Sequence, residues 1–145
     1  MLGVAYEPIA TDTAEDLTSP LRRIPPVLAR SLASDKAVAA RQRCDPDAGP
    51  IVAFDTIVVL DRQVLGKPAD ADDARRMLRA LSGRRHQVIT GVAVLASDRS
   101  EPQTFAVTTN VDMRELDDQA IDEWLADDEA LGCAGAYNIE RHLAT

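Results

Sequence analysis

The most apolar run of the chain occupies residues 51–60, with Ile51-Val52-Ala53-Phe54 followed by Ile57-Val58-Val59-Leu60. Its length and β-branched content predict a buried strand rather than a helix. A different period follows. Ala74, Met77, Leu78 and Leu81 recur at the i, i+3, i+4, i+7 spacing of a helix with one core-facing stripe. Asp70 suits its N-cap, Asp72 and Asp73 the positive end of its dipole, and Gly83 its C-terminal exit. Residues 87–96 read as a strand, and so do 103–114, where Val107, Thr109, Val111 and Met113 share a face. A helix is expected from 27 to about 43, with Leu28, Leu32 and Ala39 on one side, ended by the Asp, Pro and Gly of 44–50. Another runs from about 118 to 126. Asp117 is its N-cap, Leu116 packs on Ile121 as a hydrophobic staple, and Trp124 and Leu125 complete its buried face. Residues 1–17 read as a short strand and an acidic turn, and 19–26 as a loop. Strands and helices alternate without an internal repeat, which places the chain in the α/β class.

Composition narrows the function. At 145 residues the chain has the size of one domain able to bury a core. Aromatic residues make up only 3% of it, so that core must be aliphatic. Cys44 and Cys133 are far apart and form no Cys-x-x-Cys unit, which argues against a disulfide framework or zinc site and for reduced thiols in a cytoplasm. No run is long enough to cross a bilayer, and the first residues lack a basic start followed by an apolar stretch, so export is not expected. A net charge of −8 repels nucleic acid backbones. A small phosphate-bearing ligand stays admissible, because a few cations and a divalent metal can reverse the sign inside a cleft.

Three clusters carry chemistry. Asp55 and Thr56 interrupt the apolar run, and a carboxylate buried there costs several kcal/mol unless it is paired, hydrogen-bonded or metal-bound. Leu65-Gly66-Lys67-Pro68 follows the next turn; the glycine lets backbone approach a phosphate, the lysine adds charge and the proline stiffens the loop. Asp12 and Glu15 are candidate oxygen ligands for a divalent cation. His86, beside Arg84 and Arg85, reads as structural, and His142 stands alone. Cys133 has no visible partner that would make it a nucleophile. A flavodoxin-like binding module would need a Gly-rich or hydroxyl-rich phosphate loop after the first strand, and none is visible.

In order along the chain stand Leu32-Ala33-Ser34-Asp35-Lys36-Ala37, Ala53-Phe54-Asp55-Thr56, Leu65-Gly66-Lys67-Pro68, Ser82-Gly83, His86-Gln87-Val88-Ile89-Thr90-Gly91, Thr108-Thr109-Asn110-Val111 and Ala134-Gly135-Ala136-Tyr137-Asn138-Ile139-Glu140. This succession closely resembles the Maf family over nearly the whole length. The resemblance implies the fold of the inosine triphosphate pyrophosphatases, an elongated mixed sheet flanked by helices with two lobes around a cleft. It also implies a hydrolase of nucleotide metabolism that splits nucleoside triphosphates into monophosphate and pyrophosphate with a divalent metal, Mg²⁺ or Mn²⁺. In that scheme Asp55 activates the attacking water, Lys36 and Lys67 bind phosphates, and Glu15 lies near the metal and phosphates. Glu15 and Asp55 are then the metal-side carboxylates. The ligand is a nucleoside triphosphate, and a homodimer is admitted because family members commonly form one.

Two departures stand out. Set beside the family, the chain starts after a strand and a Ser-rich loop ending in paired arginines, and stops before a closing strand and helix. The expectation is therefore one Maf-like domain, 1–145, shortened at both ends with an exposed sheet edge, either a truncated gene product or a misassigned start with Met1 an internal methionine of a longer frame. Ser19-Pro20-Leu21-Arg22-Arg23 imitates the missing loop but lies on the wrong side of Asp12 and Glu15, and reads as solvated. In the family, Thr56 goes with dTTP and UTP, whereas Glu140 resembles the branch acting on 7-methyl-GTP; the reading leans to the pyrimidine branch. The alternative is a catalytically impaired remnant serving only as a nucleotide-binding or septum-related interaction protein.

Overall fold

The computed structural model describes residues 5–11, 13, 16–45, 48–126 and 131–138. Its elements are α1 (Pro25–Arg41), β1 (Ile51–Leu60), β2 (Gln63–Leu65), α2 (Ala71–Leu81), β3 (Arg85–Leu95), β4 (Gln103–Asp112) and α3 (Asp118–Leu125), with 3₁₀ turns at Pro20–Arg23 and Ala134–Ala136. The strands form one sheet in the order β2-β1-β3-β4. The mixed sheet implied by the resemblance is represented among the described residues by antiparallel pairings alone.

β1 is the central ladder. It pairs with β3 from Ile51↔Leu95 through Val59↔Gln87. On its other side β2 covers only Val58 to Leu60. The two strands are joined by Asp61 and Arg62, both left-handed at φ 48° and 67°, in the manner of a type I′ hairpin. Neither residue is the Asn or Gly that usually announces such a turn, so β2 is not visible in the sequence pattern. An ion pair between Asp61 and Arg84 ties the turn to the start of β3.

Alternation along β1 divides its side chains between two layers. Ile51, Ala53, Ile57 and Val59 face α1, where Leu28, Ala29, Leu32, Ala33, Ala37 and Ala40 form the buried stripe. Ala37 and Ala40 lie deepest at the C-terminal end of that stripe, while the expected Ala39 is only half-buried. α1 starts at Pro25, ahead of the expected 27, because proline at the first helical position loses no needed N–H. The expected loop before it is the 3₁₀ turn, with the Leu21 N–H donating to the Ser19 hydroxyl.

The opposite face is covered over only part of its length. Val58 and Leu60 pack with Ala74, Met77, Leu78 and Leu81 of α2, with Leu116 and Ile121 at the start of α3, and with Ala136 and Tyr137. Asp70 and Asp117 cap α2 and α3 as expected, accepting from the Asp73 and Ala120 amides. Trp124 and Leu125 are only partly buried against this cluster. Further along the same face Val52, Phe54, Phe105 and Val107 are each more than half exposed. The expectation of burial throughout residues 51–60 therefore holds on the α1 side and at the β2 end, but not at Val52 and Phe54, which the helices do not reach. Residues 5–11 form no strand among the described residues, and Tyr6 and Ile9 there are exposed; the rest of the short strand and acidic turn read over 1–17 lies in part outside the described residues.

Candidate active site

The site grows from the alternation of β1. Asp55 points to the α1 side, and only 3% of its surface is exposed. The Lys36 ammonium, one of the few polar groups α1 turns toward the sheet, forms an ion pair with Asp55 Oδ1. Thr56 points the other way and registers with Thr90, the two hydroxyls lying 2.9 Å apart.

Lys67 arrives by a different route. β2 ends at Leu65, which registers with Val58. Continued by two residues, that register would set Lys67 level with Thr56, beside Asp55. Among the described residues no strand pairs with residues 51–57 of β1 on this side. A cleft of about 340 Å³ opens there, and Lys36, Asp55, Thr56 and Lys67 all line it. Phe54, Val58 and Val88 add apolar lining, and Cys133, Ala134, Tyr137 and Asn138 add a further wall. Asp55 and Lys67 thus share one hollow. Among the described residues the lining brings two ammonium groups to one carboxylate in a chain of net charge −8. Such an arrangement suits a polyanion.

The wall is pinned from behind. The Gly135 N–H donates to the Gly66 carbonyl at 3.0 Å, linking it to the loop that carries Lys67. His86, 2% exposed, places Nε2 2.5 Å from the Tyr137 hydroxyl, with the rings edge to face at 5.5 Å between centroids. Burial lowers the His86 pKa, opposed by the Arg84 backbone and the Asp112 charge. The Arg84 contact falls short of a well-formed hydrogen bond to Nδ1. Burial pushes the Tyr137 hydroxyl up to about 12. The sequence marked His86 as structural and 134–138 as part of a motif carrying the resemblance. Neither carried a signal that the two meet.

Asp12, Glu15, Glu140 and His142 lie outside the described residues. Among the described residues no three His, Cys, Asp or Glu side chains converge on a point. Among the described residues the cleft lining contributes one carboxylate, Asp55. That donor set fits a hard cation carried in on a polyphosphate, since Mg²⁺ is commonly held by one or two carboxylates together with substrate phosphates and waters. Cys44 and Cys133 are free thiols. No helix among the described residues is long and apolar enough to cross a membrane.

Comparison with known proteins bears on these features together. The dTTP/UTP pyrophosphatase of Xanthomonas oryzae pv. oryzae is 45% identical over 123 residues, covering 78% of this chain and 64% of the relative. That of Ruminiclostridium cellulolyticum is 39% identical over 136 residues, covering 94% and 69%. That of Bacillus velezensis is 40% identical over 140 residues, covering 97% and 71%. The chain thus spans 64% to 71% of the length of these curated relatives. A family model described as Maf-like protein matches residues 1–145. An α/β fold, ordered motifs around one cleft and a family match along the whole chain lead to one conclusion: this protein belongs to the Maf family.

Proposed function

We propose that the protein is a nucleoside triphosphate pyrophosphatase that converts dTTP- or UTP-type substrates to the monophosphate and pyrophosphate. The observation that carries this reading is the convergence of Asp55, Lys36 and Lys67 on one cleft at the open edge of β1. The relatives' shared name, dTTP/UTP pyrophosphatase, supports the substrate class. A cytoplasmic location is the corresponding proposal for the compartment, supported by the two free thiols.

In the proposed reaction, water attacks the α-phosphorus. The new P–O bond forms as the bond from that phosphorus to the α–β bridging oxygen breaks, and pyrophosphate departs with the bridging oxygen. Asp55 accepts the water proton. Lys36 fixes the carboxylate's position through their ion pair, and with Lys67 offsets charge that builds on the phosphoryl oxygens. Asp55, with Glu15 as the second carboxylate carried over from the resemblance, would hold a divalent cation, which would supply further charge neutralisation. Thr56, on the cleft lining, is the proposed selector of the nucleotide, together with Glu140.

Pyrophosphate release from dTTP, UTP, CTP and 7-methyl-GTP with Mg²⁺ or Mn²⁺ tests the reading. Wild type should turn over a pyrimidine triphosphate fastest, and Asp55→Asn should lose at least about a hundredfold in kcat, the low end of general-base effects. Equal turnover by both proteins would remove Asp55 from the role of base. No turnover by wild type would sink the hydrolase reading in favour of a nucleotide-binding remnant.

A further inference from the structure

We propose that His86 is a positioning residue for Lys67, acting through Tyr137 and the backbone of Gly135; the role of Lys67 in phosphate binding rests on the function proposed above. The path consists of two hydrogen bonds on the far side of the cleft wall, joined by short lengths of chain. His86 stands at the start of β3, its side chain buried on the face shared with Val88 and Val58. Its Nε2 meets the Tyr137 hydroxyl at 2.5 Å. Two residues before Tyr137, the Gly135 N–H holds the Gly66 carbonyl at 3.0 Å, and Gly66 is bonded in sequence to Lys67.

The geometry between these contacts is costly to keep. Gly135 and Ala136 are both left-handed, at φ 70° and 62°. Alanine has no intrinsic preference for that region, so Ala136 holds it because its neighbours are fixed on both sides. On one side Gly135 rests against Val58, where an added Cβ would lie 3.0 Å from Cγ2. On the other, Tyr137 is held by its ring packing and by the bond to His86. With the Tyr137 end released, the chain would relax toward ordinary φ values, turning the Gly135 N–H away from Gly66. The Lys67 ammonium would then sample a wider range of positions.

Tyr137→Phe isolates the contact, because it removes one oxygen and keeps the ring that fills the core. Amide hydrogen exchange requires no substrate. At Gly135 it should accelerate about five- to tenfold, the equivalent of one net hydrogen bond, while exchange at Ile89 stays unchanged. Steady-state kinetics should show KM for the triphosphate raised by a similar factor and kcat within about twofold, since a binding group has been loosened and the base left alone. The double variant Tyr137→Phe/Lys67→Met should have the KM of Lys67→Met alone, because a lysine that is absent cannot be mispositioned. His86→Gln, which retains a hydrogen-bonding group, should lie between wild type and His86→Leu in both measurements. Unchanged Gly135 exchange in Tyr137→Phe overturns the proposal, as do multiplicative KM effects in the double variant. Absence of turnover in wild type would overturn the hydrolase reading, leaving the exchange data to decide the mechanical link.

Discussion

Asp55 and Gly91 are cross-strand partners, and the space a side chain would need at Gly91 is filled by the backbone of Ala29. An added Cβ would stand 2.1 Å from the Ala29 carbonyl oxygen and 2.7 Å from the Arg30 nitrogen. The glycine thus lets α1 settle onto the sheet beside the carboxylate, and the same helix delivers Lys36 to that carboxylate. Close approach of helix and strand and the ion pair are two results of one packing arrangement.

Gly91→Ala should therefore lift α1 and disturb the pair. The expected loss is about 1–3 kcal/mol in urea unfolding, the range for overpacking where backbone must move. Pyrophosphatase turnover should fall with it. Gly49→Ala, where among the described residues beyond the chain neighbours nothing lies within 4 Å of the added Cβ, is the control and should stay within about 0.5 kcal/mol of wild type. Equal stability of both variants would contradict the close-packing explanation.

The two lysines should separate stability from binding. Lys36→Met removes the charge partner of a carboxylate that is 3% exposed, and is expected to destabilise by about 2 kcal/mol, below the fully buried case because Lys36 reaches solvent. Lys67→Met lies in a loop at the cleft and should change stability by less than about 1 kcal/mol while raising KM for the triphosphate. Denaturation curves and kinetics on the same preparations check both. The reverse ranking of stabilities would mean that the Lys36–Asp55 pair is not what stabilises this part of the sheet.

Burial depresses the pKa of His86 from the ordinary 6.5. Above that value both folded and unfolded chains carry a neutral imidazole. Between it and the lower native value the unfolded chain binds a proton that the folded one refuses, so stability must fall as pH drops through that window. Asp112 and the Arg84 backbone oppose the shift without reversing its direction. His86→Gln should flatten this part of the pH–stability curve, measured by thermal unfolding between pH 5 and 8, the range in which histidine titrates. An unchanged slope would place the responsible proton elsewhere.

Metal dependence should appear with nucleotide and not before it. Chelation is expected to abolish turnover, and Mg²⁺ or Mn²⁺ to restore it. Mg²⁺ alone should leave Tm unchanged, whereas Mg²⁺ with a non-hydrolysable triphosphate should raise it by mass action. A rise with Mg²⁺ alone would point instead to a metal held by the protein's own ligands.

What the chain determines locally is read directly from it. Short-range periodicity and caps place α2, β1, β3 and α3, because an aliphatic stripe or an Asp before a helix acts within a few residues of itself. The carboxylate at Asp55 is conspicuous for the same reason: it interrupts an apolar run. The β1–β2 hairpin is not legible, since Asp61 and Arg62 are poor left-handed residues and adopt that conformation in a turn tied to β3. Nor is the half-bare face at Val52 and Phe54, which depends on how far α2 and α3 reach. The His86–Tyr137 bond spans 51 residues, and Lys36 meets Asp55 across a helix–sheet packing set by Gly91. Those meetings depend on distances between elements, and no residue carries them alone. They were decided when the layers packed.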